Sequence, residues 1–182
     1  LRGRDLRITS QTGSGKTLAI GFALRPWITP AVAGSAARLR PPSALIVAPT
    51  RELARQTQAE LQWLYAELPA HVVAITGGSS FRDERRELAR APGVIVGTPG
   101  RLLDHLRRGS IDPSAFAAVV LDEADRLLDM GFREDLDAIL EYAPAGHRTY
   151  LVSATFPRVV RSLAERVQHE PAHVEGTRLG DA

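Results

Sequence analysis

The 182-residue chain is 44% apolar and sets 23 Lys and Arg against 21 Asp and Glu, for a formal net charge of +2, a composition that supports one well-cored globular domain and permits a nucleic-acid partner without demanding one. No apolar run approaches the roughly 18 residues of a membrane span, and no basic-then-apolar leader is visible. The absence of cysteine excludes disulfides and thiolate metal sites and suits a cytoplasmic location.

In chain order, the first strand-length run is Leu6 to Thr9, and it leads into Ser10-Gln11-Thr12-Gly13-Ser14-Gly15-Lys16-Thr17. That stretch reads as a phosphate-binding loop. Its two glycines let backbone NH groups turn toward an anion, the next helix adds its positive end, Lys16 supplies a compact charge for outer phosphates, and Thr17 offers a hydroxyl to Mg²⁺. Lys16 is the only lysine among 23 basic residues, and it stands where a planar guanidinium substitutes poorly for a small ammonium ion. Ser10 occupies a position where the pattern usually has glycine, and an accidental Gly/Ser turn is the alternative.

Residues 28–43, rich in Ala and Pro, read as a surface excursion. The next run, Ala44 to Ala48, ends at Pro49-Thr50-Arg51, and helical spacing follows in Leu53, Leu61, Leu64 and Leu68. Val72 to Ile75 runs into Gly77-Gly78. The stretch from Arg82 to Arg90, with Asp83, Glu84 and Glu87 interleaved, reads as a salt-bridged helix face. Val94 to Val96 ends at Thr98-Pro99-Gly100-Arg101, where threonine suits a helix N-cap and Pro99 the first helical position, and Arg107-Arg108 suits that helix's end. Helix starts attract phosphates, so with Arg51 and Arg101 beside them two such starts could hold consecutive phosphates of a strand, while Gly77-Gly78 allows close backbone approach. Ordinary capped helices and a Gly-Gly turn are the alternatives.

Ala117 to Leu121 ends abruptly in Asp122-Glu123-Ala124-Asp125. A strand end is a rigid mount for carboxylates. If this strand neighbours the phosphate-loop strand, Asp122 can hold Mg²⁺ together with Thr17, and Glu123 can orient or deprotonate an attacking water; an acidic helix start is the other reading. Leu127, Leu128, Leu136, Ile139 and Leu140 again have helical spacing, and Tyr150 to Val152 is the last strand-length run. It is followed by Ser153-Ala154-Thr155, where Thr155 could cap a helix beginning near Pro157. His169-Glu170-Pro171-Ala172-His173 fits a zinc-peptidase pattern, but Pro171 breaks the helix that would align the histidines, so these read as solvated loop residues. Strands alternate with helices throughout, which predicts an α/β fold with a mostly parallel sheet, helices on both faces and ligand sites at the carboxyl ends of the strands.

Thr12 to Thr17, Pro49-Thr50-Arg51-Glu52-Leu53-Ala54, Gly77-Gly78, Thr98-Pro99-Gly100-Arg101, Asp122-Glu123-Ala124-Asp125, Met130-Gly131-Phe132 and Ser153-Ala154-Thr155 resemble, in order, the motifs of the DEAD-box ATP-dependent RNA helicases. The resemblance spans nearly the whole chain. It implies the first, RecA-like P-loop NTPase domain over residues 1–173, with 174–182 starting the linker to a second RecA-like domain. It further implies ATP and Mg²⁺ as cofactors, with Thr12, Gly13, Ser14, Gly15, Lys16 and Thr17 at the phosphates, Thr17 and Asp122 at the metal, and Lys16, Asp122 and Glu123 in catalysis. RNA is the implied partner, held by its backbone through Thr50, Arg51, Gly77, Gly78, Thr98, Pro99, Gly100 and Arg101, and Asp125, Ser153 and Thr155 couple the two sites. The family's adenine-reading motif would lie before Leu1 and its arginine finger in the second domain, so the chain reads as a piece of a longer protein, expected alone to hydrolyse little ATP and unwind no RNA. Preference for RNA comes from the resemblance only. A DNA-directed helicase or translocase with the same engine, and a non-hydrolysing RNA clamp, are the alternatives.

Overall fold

The computed structural model describes residues 3–10, 15–28, 41–68 and 70–176. Seven strands, β1 (Leu6–Thr9), β2 (Ala44–Val47), β3 (Val72–Ile75), β4 (Val94–Gly97), β5 (Ala118–Leu121), β6 (Arg148–Ser153) and β7 (Ala172–Glu175), make one sheet in the order β3-β4-β2-β5-β6-β1-β7. Every neighbouring pair is parallel. The crossovers carry helices α1 (Lys16–Leu24), α2 (Arg51–Leu64), α3 (Phe81–Leu88), α4 (Pro99–Arg107), α5 (Ala124–Asp129), α6 (Arg133–Tyr142) and α7 (Arg158–Val167).

All four residues of β2, β4 and β5 are buried, which is why these strands read as unbroken apolar runs rather than alternating ones. The period of two still sorts them. Leu45, Val47, Val119 and Leu121 pack on one face with Leu102, Leu127, Leu136 and Leu163 of α4 to α7. Ala44, Ile46, Ala118 and Val120 pack on the other with Ile20 and Leu24 of α1 and Leu61 of α2. The parallel, two-sided architecture expected from the alternation is therefore present.

Strand β7 was not anticipated. It pairs with β1 from Leu6↔Ala172 to Thr9↔Glu175, so the sheet continues through Val174 and Glu175, and a domain boundary after His173 falls inside a strand. Helix α7 ends at Val167; His169 and His173 are exposed, the latter on β7, and share no helix face. Thr12, Gly13 and Ser14 of the phosphate loop, most of the 28–43 excursion and residues 177–182 of the expected linker lie outside the described residues.

Candidate nucleotide and nucleic-acid sites at the strand ends

Parallel strands bring their following loops to one end of the sheet, and a cleft of about 530 Å³ opens there, lined by Gly15, Lys16, Thr17, Thr50, Asp122 and Glu123 among others. The carboxylate strand β5 does not neighbour β1; β6 lies between them. Two strand spacings amount to about 10 Å, and the long Lys16 side chain spans much of this gap, bringing its Nζ to 3.9 Å from Glu123 Oε1. That ammonium is buried and makes no hydrogen bond among the described residues. Gly15, in the left-handed region at φ 80, precedes α1 as an N-cap with no side-chain cap bond, and the first turn of α1 carries no acidic residue, so among the described residues no carboxylate of the helix itself neutralises its start.

Asp122 continues the β5 ladder, its N–H donating to Val47 O at 2.9 Å. The residue is 3% exposed, and its carboxylate accepts the Glu123 N–H at 2.9 Å. Burial pushes the Asp122 carboxyl up to about 6, against the opposing pull of the Lys16 ammonium. Glu123 itself turns the corner from β5 into α5 at φ 49, ψ 55, a left-handed conformation that costs a non-glycine residue about 1–2 kcal/mol. The corner leaves its carboxylate between Lys16 and Arg126, the latter at 3.4 Å.

These residues fit a nucleotide phosphate and a hard cation. An ammonium without a hydrogen-bond partner suits an anion, and the Thr17 hydroxyl and Asp122 carboxylate in the same cleft are the hard oxygens Mg²⁺ prefers. Among the described residues no three His, Cys, Asp or Glu side chains cluster into an all-protein cage, and Mg²⁺ at phosphate sites commonly uses only one or two carboxylates.

A second network joins β5 to β6. Asp125 Oδ2 accepts from Thr155 Oγ1 at 2.9 Å and from Thr155 N–H at 3.2 Å, while Asp125 N–H donates to Ser153 Oγ at 3.3 Å. Ser153 Oγ in turn donates to Thr155 O at 2.7 Å. Burial acts to raise the Asp125 carboxyl, but the hydrogen bonds it accepts from Thr155 and from the Arg126 N–H hold it below the ordinary aspartate value. Thr155 does not cap α7, whose N-cap is Pro157; its hydroxyl is engaged by Asp125 instead.

On the β3-β4-β2 side, Thr50 caps α2 by accepting from Leu53 N–H at 3.2 Å. Thr98 stands at the N-cap of α4 and Pro99 at its first position, but the Thr98 hydroxyl makes no cap bond and instead donates to Thr76 O at 3.4 Å. Gly77 and Gly78 take φ 70 and φ 84 in succession, a turn only glycine makes without strain. A Cβ on Gly78 would meet Arg51 Nη1 at 2.9 Å, and one on Gly77 would lie 3.7 Å from Arg51 Nη2 and 3.9 Å from Arg101 Cδ. The structure thus gathers Arg51, Gly77, Gly78 and Arg101 into one surface, with exposed Gly100 beginning the same helix as Arg101.

One residue of this surface escaped the sequence pattern. Glu84, expected on a salt-bridged helix face with Asp83 and Glu87, is 4% exposed and finds its ion pair on another helix, with Arg101. Asp83 and Glu87 do pair with Arg86 and Arg90, whereas Glu84 turns inward to Gly77, Arg101 and His105. The signal was its spacing: Phe81, Glu84 and Leu88 are i, i+3 and i+7, the inner stripe of α3.

A parallel sheet of this order, with the sequence expected for a phosphate loop after β1 and acidic residues at the end of β5, is that of a RecA-like domain. The description "DEAD/DEAH box helicase" matches residues 1–163, and the chain belongs to that family. It is 43% identical over 176 residues to the ATP-dependent RNA helicase DbpA of Escherichia coli K12, covering 96% of this chain and 37% of that protein. It is 45% identical to the ATP-dependent RNA helicase DeaD of Klebsiella pneumoniae, again over 96% of this chain but 26% of the relative. The crystal structure of a DEAD box protein from Methanococcus jannaschii superposes with a TM-score of 0.85 at 31% identity, covering 96% of this chain and 46% of that one. The chain spans between 26% and 37% of the length of these curated relatives.

Proposed function

We propose that the chain is the ATP-binding and ATP-hydrolysing domain of an ATP-dependent RNA helicase, working with a second RecA-like domain of the same protein to remodel RNA locally. The observation that carries this reading is the buried Lys16 ammonium, without a hydrogen-bond partner among the described residues, facing Asp122 and Glu123 across one cleft. Lys16 would neutralise the outer phosphates, aided by the loop from Thr12 to Gly15, and Thr17 with Asp122 would hold Mg²⁺. Bound Mg-ATP supplies the phosphoryl group and the free energy of its hydrolysis. Glu123, fixed in the cleft by its left-handed corner, orients water and accepts its proton.

Arg51 and Arg101 with the helix starts at Thr50 and at Thr98 to Gly100 would hold RNA phosphates, and Gly77-Gly78 would let the backbone come close, giving little sequence specificity. Asp125, Ser153 and Thr155 would transmit between the two sites, because their hydrogen bonds tie the carboxylate corner to the loop after β6. A cytoplasmic location belongs to the same proposal; among the described residues no helix is long and apolar enough to cross a membrane.

The test is steady-state ATP hydrolysis by the longer protein this proposal implies, with single-stranded RNA and DNA of one sequence as activators at one fixed salt concentration. Stimulation by RNA alone is the expected result. Equal stimulation by DNA would replace it with a DNA-directed motor, and no hydrolysis with either would replace it with a clamp.

A further inference from the structure

Glu84 sits on α3, outside the nucleotide cleft, and its carboxylate is fully engaged. Oε1 accepts the Gly77 N–H at 3.0 Å and the Ser79 hydroxyl at 3.2 Å. Oε2 accepts Arg101 Nε at 2.6 Å and lies 2.9 Å from His105 Nε2. Two carboxylate oxygens offer about four lone-pair sites, so no capacity remains for a ligand or cation. What Glu84 does, it does through its neighbours.

Those neighbours come from both halves of the proposed RNA surface. Gly77 and Ser79 belong to the turn after β3; Arg101 and His105 belong to α4, more than twenty residues later. The surroundings favour one arrangement. His105 is fully buried, its ring stacked on Phe81 at 4.0 Å and 5°; burial lowers its pKa against the pull of Glu84, and because an ionised carboxylate only accepts, Nε2 is the donor of the pair. The Arg101 guanidinium lies 5.0 Å over the same Phe81 ring and donates from Nη2 to Ser79 O. The Arg101 side chain keeps 22% of its surface exposed, with Nε turned inward to Glu84. A carboxylate beside a polyanion would repel it; pairing it with Arg101, the Gly77 N–H, the Ser79 hydroxyl and His105 offsets that repulsion and fixes the direction of the guanidinium.

We propose that Glu84 is a positioning residue for RNA-backbone binding, its buried carboxylate locking the Gly77-Gly78 turn and Arg101 into one phosphate-accepting surface. This rests on the reading of Gly77, Gly78 and Arg101 as RNA contacts. Without Glu84 the turn loses the acceptor for its Gly77 N–H, and Arg101 loses its only ion pair among the described residues and keeps the 3.4 Å contact to Ser79 O and the Phe81 ring.

The experiment is equilibrium binding of a fluorescently labelled ten-nucleotide single-stranded RNA to the full 182-residue chain, in salt from about 50 to 200 mM, for wild type, Glu84→Ala, Glu84→Gln, Arg101→Ala and the Glu84→Ala/Arg101→Ala pair. Glu84→Ala should weaken binding about tenfold and make the log–log salt dependence shallower by about 0.7 for each phosphate that is no longer neutralised. Glu84→Gln, which keeps one acceptor oxygen, should recover part of the affinity, and the double variant should fall short of the product of the single effects. Circular dichroism melting reports whether each variant is folded; if Glu84→Ala is not, Glu84→Asp carries the same expectation, because it keeps the charge and cannot span the turn and α4. Wild-type affinity and salt slope in the folded Ala or Asp variant, or fully multiplicative effects with Arg101→Ala, would overturn the positioning role. A wild-type chain that does not bind RNA, or an Arg101→Ala chain that binds it normally, would instead overturn the RNA reading beneath it.

Discussion

Replacing Asp122 with asparagine keeps the side chain's shape and its acceptor for the Glu123 N–H while removing a charge from a site that is 3% exposed. Folding moves the carboxyl from 3.8 to about 6, chiefly by burial, with the Lys16 ammonium opposing. Between those values the folded chain holds more protons than the unfolded one, so stability falls as pH rises through that window, and the full cost is present above the folded value. At about 1.4 kcal/mol per tenfold change in proton affinity, that cost is about 3 kcal/mol near neutral pH. Without nucleotide and in EDTA, Asp122→Asn should therefore be more stable than wild type by up to about 3 kcal/mol at pH 7.5, with the advantage vanishing toward pH 4. Urea unfolding at a series of pH values measures this directly. The same substitution should weaken Mg²⁺-dependent nucleotide binding, so stability and the proposed metal site make opposite demands on this position. An Asp122→Asn chain no more stable than wild type at pH 7.5 refutes the reasoning.

Lys16→Ala should weaken binding of a fluorescent ATP analogue about 10- to 100-fold, the range expected for losing a charge-assisted hydrogen bond of about 1.5–3 kcal/mol; unchanged affinity would remove Lys16 from the phosphate site. Glu123→Gln should bind the same analogue normally and fail in steady-state turnover by the longer protein, and unchanged hydrolysis would end its role with water. Gly78→Ala places a Cβ 2.9 Å from Arg51 Nη1 at φ 84, so thermal melting should report a loss of about 1–2 kcal/mol together with weaker RNA binding. Thr155→Val removes the 2.9 Å hydroxyl bond to Asp125 and should cost about 1 kcal/mol in chemical unfolding, with no change expected in the order of the sheet.

Six of the seven strands were legible because each is a short β-branched run, and those at the centre of the sheet are covered on both faces. β7 was not, because among the described residues it is an edge strand pairing with β1 alone. It follows Pro171 and carries His173 and Glu175 at exposed positions, so its pattern looks like loop until β1 is beside it. Asp122, Glu123 and Lys16 could be named from local motifs, yet the separation of their strands by β6 could not, since strand order lies in no single stretch of sequence. The Asp125 to Thr155 hydrogen bond has the same origin: it depends on β5 and β6 being neighbours. Glu84 was misread because charge composition outweighed helical position on α3. Its partners on α4 are identified only by folding.

The first turn of α2 presents Thr50, Glu52 and Leu53 to the nucleotide cleft, while Arg51, in their midst, reaches the Gly77-Gly78 turn on the other side. On the proposed reading, neighbouring residues of one rigid mount then face different ligands, with Glu52 and Leu53 toward the nucleotide and Arg51 toward RNA, while Thr50, which caps the helix, lies where the two meet. Substitutions in this turn would then be confounded, because a change that tilts the helix start would alter the proposed ATP and RNA affinities together. A screen that scores positions 50 to 53 against one ligand alone will assign to it effects that belong to the other.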